Sequence, residues 1–293
     1  MNTRRDFLRK GAFAGLGMLT MSELAKAVVS KQNGNVSPKI KLEKDSVILF
    51  QGDSITDMFR KYDCNQCNTP EQMGMGYALF AASTLLSDYP DKQLKIYNRG
   101  VGGNKVYQLR DRWELDTLAI QPDVLSILIG VNDFWHILMG NYKGSLGIYE
   151  RDLQDLLHYT KEKLPNVQLV LGEPFALRGG SAIDDAKWFP EFDGYRASLK
   201  KLADEFNAIF VPYQAAFDAA LKLAPARYWG ADGVHPDLPG RQLMANVWLE
   251  ATGLKKKGRE IGDNIFISPR GKRLSHSGEG SLLFCYHTMK MND

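Results

Sequence analysis

The sequence predicts an α/β protein, a three-layer α/β/α sandwich around a five-stranded parallel sheet. Two observations carry that expectation. From residue 45 onward, short apolar runs alternate with longer segments whose apolar positions recur at helical spacing. The short runs are apolar almost throughout, as in strands covered on both faces, and helical crossovers between successive strands make their pairing parallel. In such a sheet a ligand site lies beyond the C-terminal ends of the strands.

The elements follow in order. "SVILFQ" (46–51) is the first strand, and after the loop 52–73 "GYALFAASTLLSDYP" reads as a helix stopped by Pro90. "LKIYNRG" (94–100) is the second strand, and "KVYQLRDRWELDTLAI" a helix ending before Pro122. "DVLSILIGVND" (123–133) is the third and most apolar strand. A helix over 145–164 follows, with Leu146, Tyr149, Leu153, Leu156 and Leu157 on one stripe. "VQLVLGEP" is the fourth strand, 193–207 a helix, "AIFVPY" the fifth strand and "LPGRQLMANVWLEAT" the closing helix. Ser54, the turn from Gly100 to Asn104, and Asn132 all fall just past strand ends.

The flanks differ from this core. Residues 1–27 join a basic start, "MNTRRDFLRK", to a short apolar stretch and the small-x-small sequence ending "LAKA", which reads as a signal peptide cut after Ala27. The stretch from Thr3 to Leu8 is similar to a twin-arginine export signal, with an ordinary secretory signal as the alternative. Export makes the protein periplasmic or secreted, with the export machinery as a partner. The apolar stretch is too short and glycine-rich to be a stable membrane anchor. Residues 28–44 read as a linker, and 255–293 as a tail of Gly, Ser and Lys around two short apolar runs.

With 293 residues, 44% of them hydrophobic, the chain is long enough for one sizeable core. The net charge of +3 gives no nucleic-acid footprint, because part of the excess sits at the N-terminus and in "KKKGR" (255–259). Three cysteines make no disulfide framework, and the "CNQC" of Cys64 and Cys67 lacks the further ligands of a zinc site. A local disulfide between that pair stays open.

Four blocks carry chemistry. Ser54, in "GDSITD", follows a strand, and Gly52 permits the tight turn that would expose it. Alone, it fits a helix-capping serine as well as a nucleophile. In "GADGVHPDLPG", Asp232 precedes His235 by three residues on a loop stiffened by Pro236 and Pro239. That spacing lets the carboxylate reach Nδ1 while Nε2 faces outward as a general base, against the plainer reading of an Asp-Gly-Pro turn. "NRGVGGNKV" lacks the third glycine of a dinucleotide site and the Gly-Lys-Ser/Thr of a phosphate loop, but offers backbone N–H groups on a glycine-lined turn. Asn132, in "LIGVND", closes the third strand and can donate its side-chain amide to the same point. The glycine-rich nucleophile elbow of α/β-hydrolases is absent from the chain.

In order and approximate spacing, these blocks resemble those of the GDSL esterase/lipase family, also called SGNH hydrolases, over residues 46–252. The resemblance implies a flavodoxin-like hydrolase domain over 45–254 that cleaves carboxylic esters. It makes Ser54 the nucleophile, His235 the base and Asp232 its orienter. It assigns the oxyanion hole to the N–H groups of Ser54 and Gly103 and the side chain of Asn132. No metal or cofactor is implied. Where the family often has serine, this chain has Gly102, and the tail lies outside the resemblance.

Within the family the chain most resembles bacterial carbohydrate acetylesterases, including those acting on xylan fragments, in a run that includes Arg112-Trp113 and Trp135. The expected partner is therefore a small-molecule or oligosaccharide ester, and an oligomer is compatible with the sequence. Asp53, Trp135, Trp188 and Trp229 are the candidate substrate contacts, the tryptophans as sugar-stacking rings, while Trp113 reads as structural. Residues 175–190 read as a lid. The alternatives are a lysophospholipase, short-chain lipase or thioesterase of the same fold and, in another class, a glycan-binding protein without chemistry.

Overall fold

The computed structural model describes residues 20–33 and 38–256. The two ends of the chain, with the basic N-terminal motif and nearly all of the predicted tail, lie outside the described residues.

All five predicted strands form. β1 (Val47–Gly52), β2 (Lys95–Asn98), β3 (Val124–Leu128), β4 (Gln168–Gly172) and β5 (Ile209–Val211) pair in parallel in the order β2-β1-β3-β4-β5. Every residue of β3 is buried, which is why its sequence is uninterrupted hydrophobics with one serine. That serine is not orphaned: Ser126 Oγ accepts from Trp248 Nε1 at 3.0 Å.

Helices cover both faces. On one lie α1 (Met21–Asn33), α3 (Tyr77–Asp88), α8 (Tyr213–Ala220) and α9 (Leu238–Thr252). On the other lie α4 (Val106–Asp111), α6 (Leu146–Lys163) and α7 (Glu191–Glu205). Trp248 seals the first face against Phe50 of β1, with ring centroids 5.1 Å apart. Trp113 is fully buried on the other face, where its Nε1 donates to Thr160 Oγ1 of α6, as a structural tryptophan should.

Several boundaries differ from expectation. The third strand stops at Leu128, and Val131–Leu138 forms a helix, α5, so Asn132 sits on a first helical turn and does not close a strand. The run 105–120 breaks into α4, a turn at Trp113–Asp116 and a short 3₁₀ segment. Residues 28–33, expected to begin a linker, are helical. Helix α1 crosses the expected cleavage point, with Leu24, Ala25 and Val28 buried against α8 and α9.

The sheet order reverses direction between β1 and β3, which opens a crevice at their C-terminal ends. There Gly52 pairs with Leu128. A Cβ on Gly52 would lie 2.2 Å from the carbonyl oxygen of Leu128, so only glycine lets the chain leave β1 this close to β3.

Candidate active site

Ser54 opens α2 (Ser54–Asp57), a single turn capped by Asp53, whose Oδ1 accepts the N–H of Ile55 at 3.0 Å. The serine points away from the strand toward the loop before α9. Its Oγ lies 2.8 Å from Nε2 of His235, whose Nδ1 lies 2.6 Å from Asp232 Oδ2. The other oxygen of Asp232 accepts the N–H groups of Val234 and His235, at 2.8 and 2.7 Å, which locks the carboxylate in place.

These contacts tune the imidazole. The hydrogen bond to Asp232 raises the pKa of His235, burial opposes it, and the charges of Asp232 and Asp53 add to the rise. For Asp232, burial pushes upward, but the bonds from His235 and Val234 outweigh it and hold the carboxyl below its ordinary value. The arrangement favours Asp232 as a carboxylate and His235 as a proton acceptor from Ser54.

The glycine turn faces the same serine. Gly103 takes φ +77°, a left-handed value open to glycine. Gly102 N–H donates to Asp57 Oδ2 at 3.1 Å, so the turn is tied to α2 even without the serine common at position 102. Among the described residues, no acceptor takes the N–H of Ser54 or Gly103. Asn132 Nδ2 donates to Asn104 O at 3.2 Å, which brings the side chain of α5 to this turn and leaves a second amide hydrogen.

A supporting layer escaped the sequence. Arg112 Nη2 donates to Gly52 O, Nη1 to Arg99 O and Nε to Asn104 Oδ1, joining the ends of β1 and β2 to the glycine turn. Asn98, fully buried, donates to Thr56 O and Met73 O and accepts the N–H of Gly100. A polar residue at the C-terminal end of a strand, two positions before Gly100 opens the glycine turn, is the one signal that could have marked Asn98.

The candidate substrate contacts divide. Asp53 is fully buried as the cap of α2 and is no surface contact, a correction that follows from its hydrogen bond to Ile55. Trp188 packs among Phe134, Phe192 and Trp135, and Trp229 is buried with its Nε1 on Ala224 O, so neither offers a free ring face. Trp135 alone stays near the chemistry, partly buried and 6.5 Å from the His235 ring. The predicted lid is a brace: Leu177 N–H donates to Gly233 O and Ala182 N–H to Asp232 O, holding the Asp232 loop from behind. Cys64 and Cys67 are free thiols.

Residues 50–243 match the GDSL-like lipase/acylhydrolase family. The chain belongs to that family. Its activity class is that of a carboxylic ester hydrolase. It is 32% identical over 220 residues to an acetylxylan esterase of Geobacillus stearothermophilus, across 74% of this chain and 98% of that one. The solved structure of that esterase superposes with a TM-score of 0.67. Its catalytic mutants replace one serine, one histidine and one aspartate three positions before that histidine. The crystal structure of a protein described as a GDSL-like lipase, from Parabacteroides merdae, is 68% identical and superposes with a TM-score of 0.74 over 74% of this chain and 100% of that one.

Proposed function

We propose that this protein is a serine esterase that removes acetyl groups from carbohydrates, after export from the cytoplasm. The observation that carries the reading is the unbroken hydrogen-bonded chain from Ser54 through His235 to Asp232. The acetylxylan esterase relative supports the acyl and sugar parts of it.

Ser54 Oγ attacks the acetyl carbonyl as His235 Nε2 takes its proton. Negative charge grows on the carbonyl oxygen, and the free N–H groups of Ser54 and Gly103, with Nδ2 of Asn132, are the donors for it. Asp232 stabilises the imidazolium. His235 then protonates the departing sugar hydroxyl, leaving an acetyl-enzyme. A water activated by the same imidazole releases acetate.

Incubating the protein with acetylated oligosaccharides and measuring acetate tests the reading directly. Acetate release, with Ser54 labelled by a fluorophosphonate, is the expected result. A folded protein that resists the label would end the serine mechanism, and faster hydrolysis of octanoyl than acetyl esters would move the substrate to lipids.

A further inference from the structure

With Trp188 and Trp229 buried, Trp135 is the one predicted ring left near His235, and it does not line the cavity beside the nucleophile. A cavity of about 610 Å³ opens beside Ser54 and His235, and its lining includes Phe59, Tyr62, Asp237 and Arg241. Phe59 is 76% exposed, and its φ of +64° is a left-handed conformation that bulky residues avoid. Folding explains neither feature. A ring this exposed contributes little burial, and a glycine would take that backbone without strain.

Tyr62 is 57% exposed yet held on two sides. Its hydroxyl donates to Asp57 Oδ2 at 2.7 Å, and the guanidinium carbon of Arg60 lies 4.5 Å from its ring centroid. Arg60 is itself buried, with Nε donating to Gly100 O at 2.6 Å. The ring is thus fixed before any ligand arrives, which reduces the ordering cost of binding.

We propose that Phe59 and Tyr62 form the aromatic platform on which a sugar ring of the acetylated substrate stacks, with Asp237 and Arg241 bonding its hydroxyl groups. This rests on the carbohydrate-ester reading above. The occupant follows from position and chemistry. The cavity is continuous with Ser54 and His235, so it takes one side of the ester under attack. An acetyl group is too small to need two large rings. A pyranose presents an apolar C–H face and a polar rim, matching a wall of aromatic rings beside a carboxylate and a guanidinium. A fatty acyl chain would match the rings but make no use of the Asp237 oxygen and the Arg241 nitrogen that remain beyond their bonds to Ala231 N–H, Pro236 O and Met75 O.

The test compares kcat and KM for an acetylated xylo-oligosaccharide and for 4-nitrophenyl acetate in the wild type, Phe59→Ala, Phe59→Tyr and Tyr62→Ala, with Leu115→Ala as a control on an exposed residue outside the cavity lining. In each alanine variant of the platform, KM for the oligosaccharide should rise about three- to tenfold, the value of one aromatic contact, and the oligosaccharide-to-aryl ratio of kcat/KM should fall with it. Phe59→Tyr should restore both. In the Ser54→Ala background, calorimetric affinity for the same oligosaccharide should weaken by the same factor. An unchanged ratio and affinity in both alanine variants would overturn the platform while leaving the esterase reading intact. A wild type that cleaves the aryl ester but releases no acetate from the oligosaccharide would overturn the platform and the carbohydrate-ester reading together.

Discussion

Ser54 Oγ and His235 Nε2 lie 2.8 Å apart although 181 positions separate them in the chain. The contact exists because β1 delivers the serine at the C-terminal ends of the strands and the brace from Leu177 to Ala182 holds the Asp232 loop from behind. Ser54→Ala and His235→Ala should each reduce aryl acetate turnover to background, a drop of roughly 10⁶ for residues that act as a unit. Asn132→Ala should cost roughly two to three decades in kcat through a lost oxyanion donor. Steady-state kinetics on correctly folded variants decides. Near-wild-type rates in either Ser54 or His235 variant would remove these residues from the chemistry.

The raised pKa of His235 sets a pH dependence. The neutral imidazole is the base, so kcat/KM should climb as pH rises through a midpoint above the ordinary 6.5 of histidine. The stability term runs oppositely. A group whose folded pKa is raised contributes stability that is full below its unfolded pKa and is lost as pH rises through the folded one. Asp232→Asn removes the main cause of the rise, so its rate profile should shift to lower pH as well as fall in height. A profile whose midpoint stays in place would show that Asp232 does not tune the base.

The fold was legible because parallel strands covered on both faces need continuous apolar runs, and Pro90 and Pro122 mark where helices end. Ser54, Asp232 and His235 were legible as residue types at strand ends and on one short loop. Asp57, Arg112 and Asn98 were not, because each acts through hydrogen bonds to backbone atoms distant in sequence, such as Gly102, Gly52 and Thr56. The tryptophans misled for a related reason. A ring on a connecting segment can be core when that segment packs inward, as Trp188 does against Phe134 and Phe192.

Asp53 offers a test of buried charge. Burial pushes its carboxyl up to about 7, against the pull of the Ile55 N–H and of His235, and its Oδ2 has no partner among the described residues. The folded state therefore holds a proton that the unfolded chain releases near pH 4, so this group makes stability fall as pH rises from about 4 to about 7. Asn in its place keeps an oxygen for Ile55 and puts a neutral group where the unpartnered oxygen lay. Asp53→Asn should gain Tm relative to wild type between pH 5 and 8. Asp133 and His235 contribute slopes of the same sign in both proteins, and because the Asp53 charge helps to raise each of them, the difference between the two curves reads Asp53 together with its pull on these neighbours. Parallel curves would mean that Asp53 does not titrate with folding.

Helix α1 bears on where the N-terminal segment ends. A peptidase cut after Ala27 would divide the helix between Ala25, fully buried, and Val28, and would leave too short a remnant to hold helical structure alone. Leu24 would vacate its site against α8 and α9, and Ser22 would no longer accept from Lys255 Nζ. A chain beginning at residue 28 should thus be less stable than one beginning at residue 20 by about 2–5 kcal/mol, the cost of emptying a Leu-sized site. Urea unfolding of the two chains measures this difference, and N-terminal sequencing of exported protein locates the cut. The mature N-terminus should lie before Met21, since the segment from Leu24 to Val28 belongs to the folded core. Exported protein that starts at Val28 and unfolds at the same urea concentration would show that α1 adds nothing to the domain.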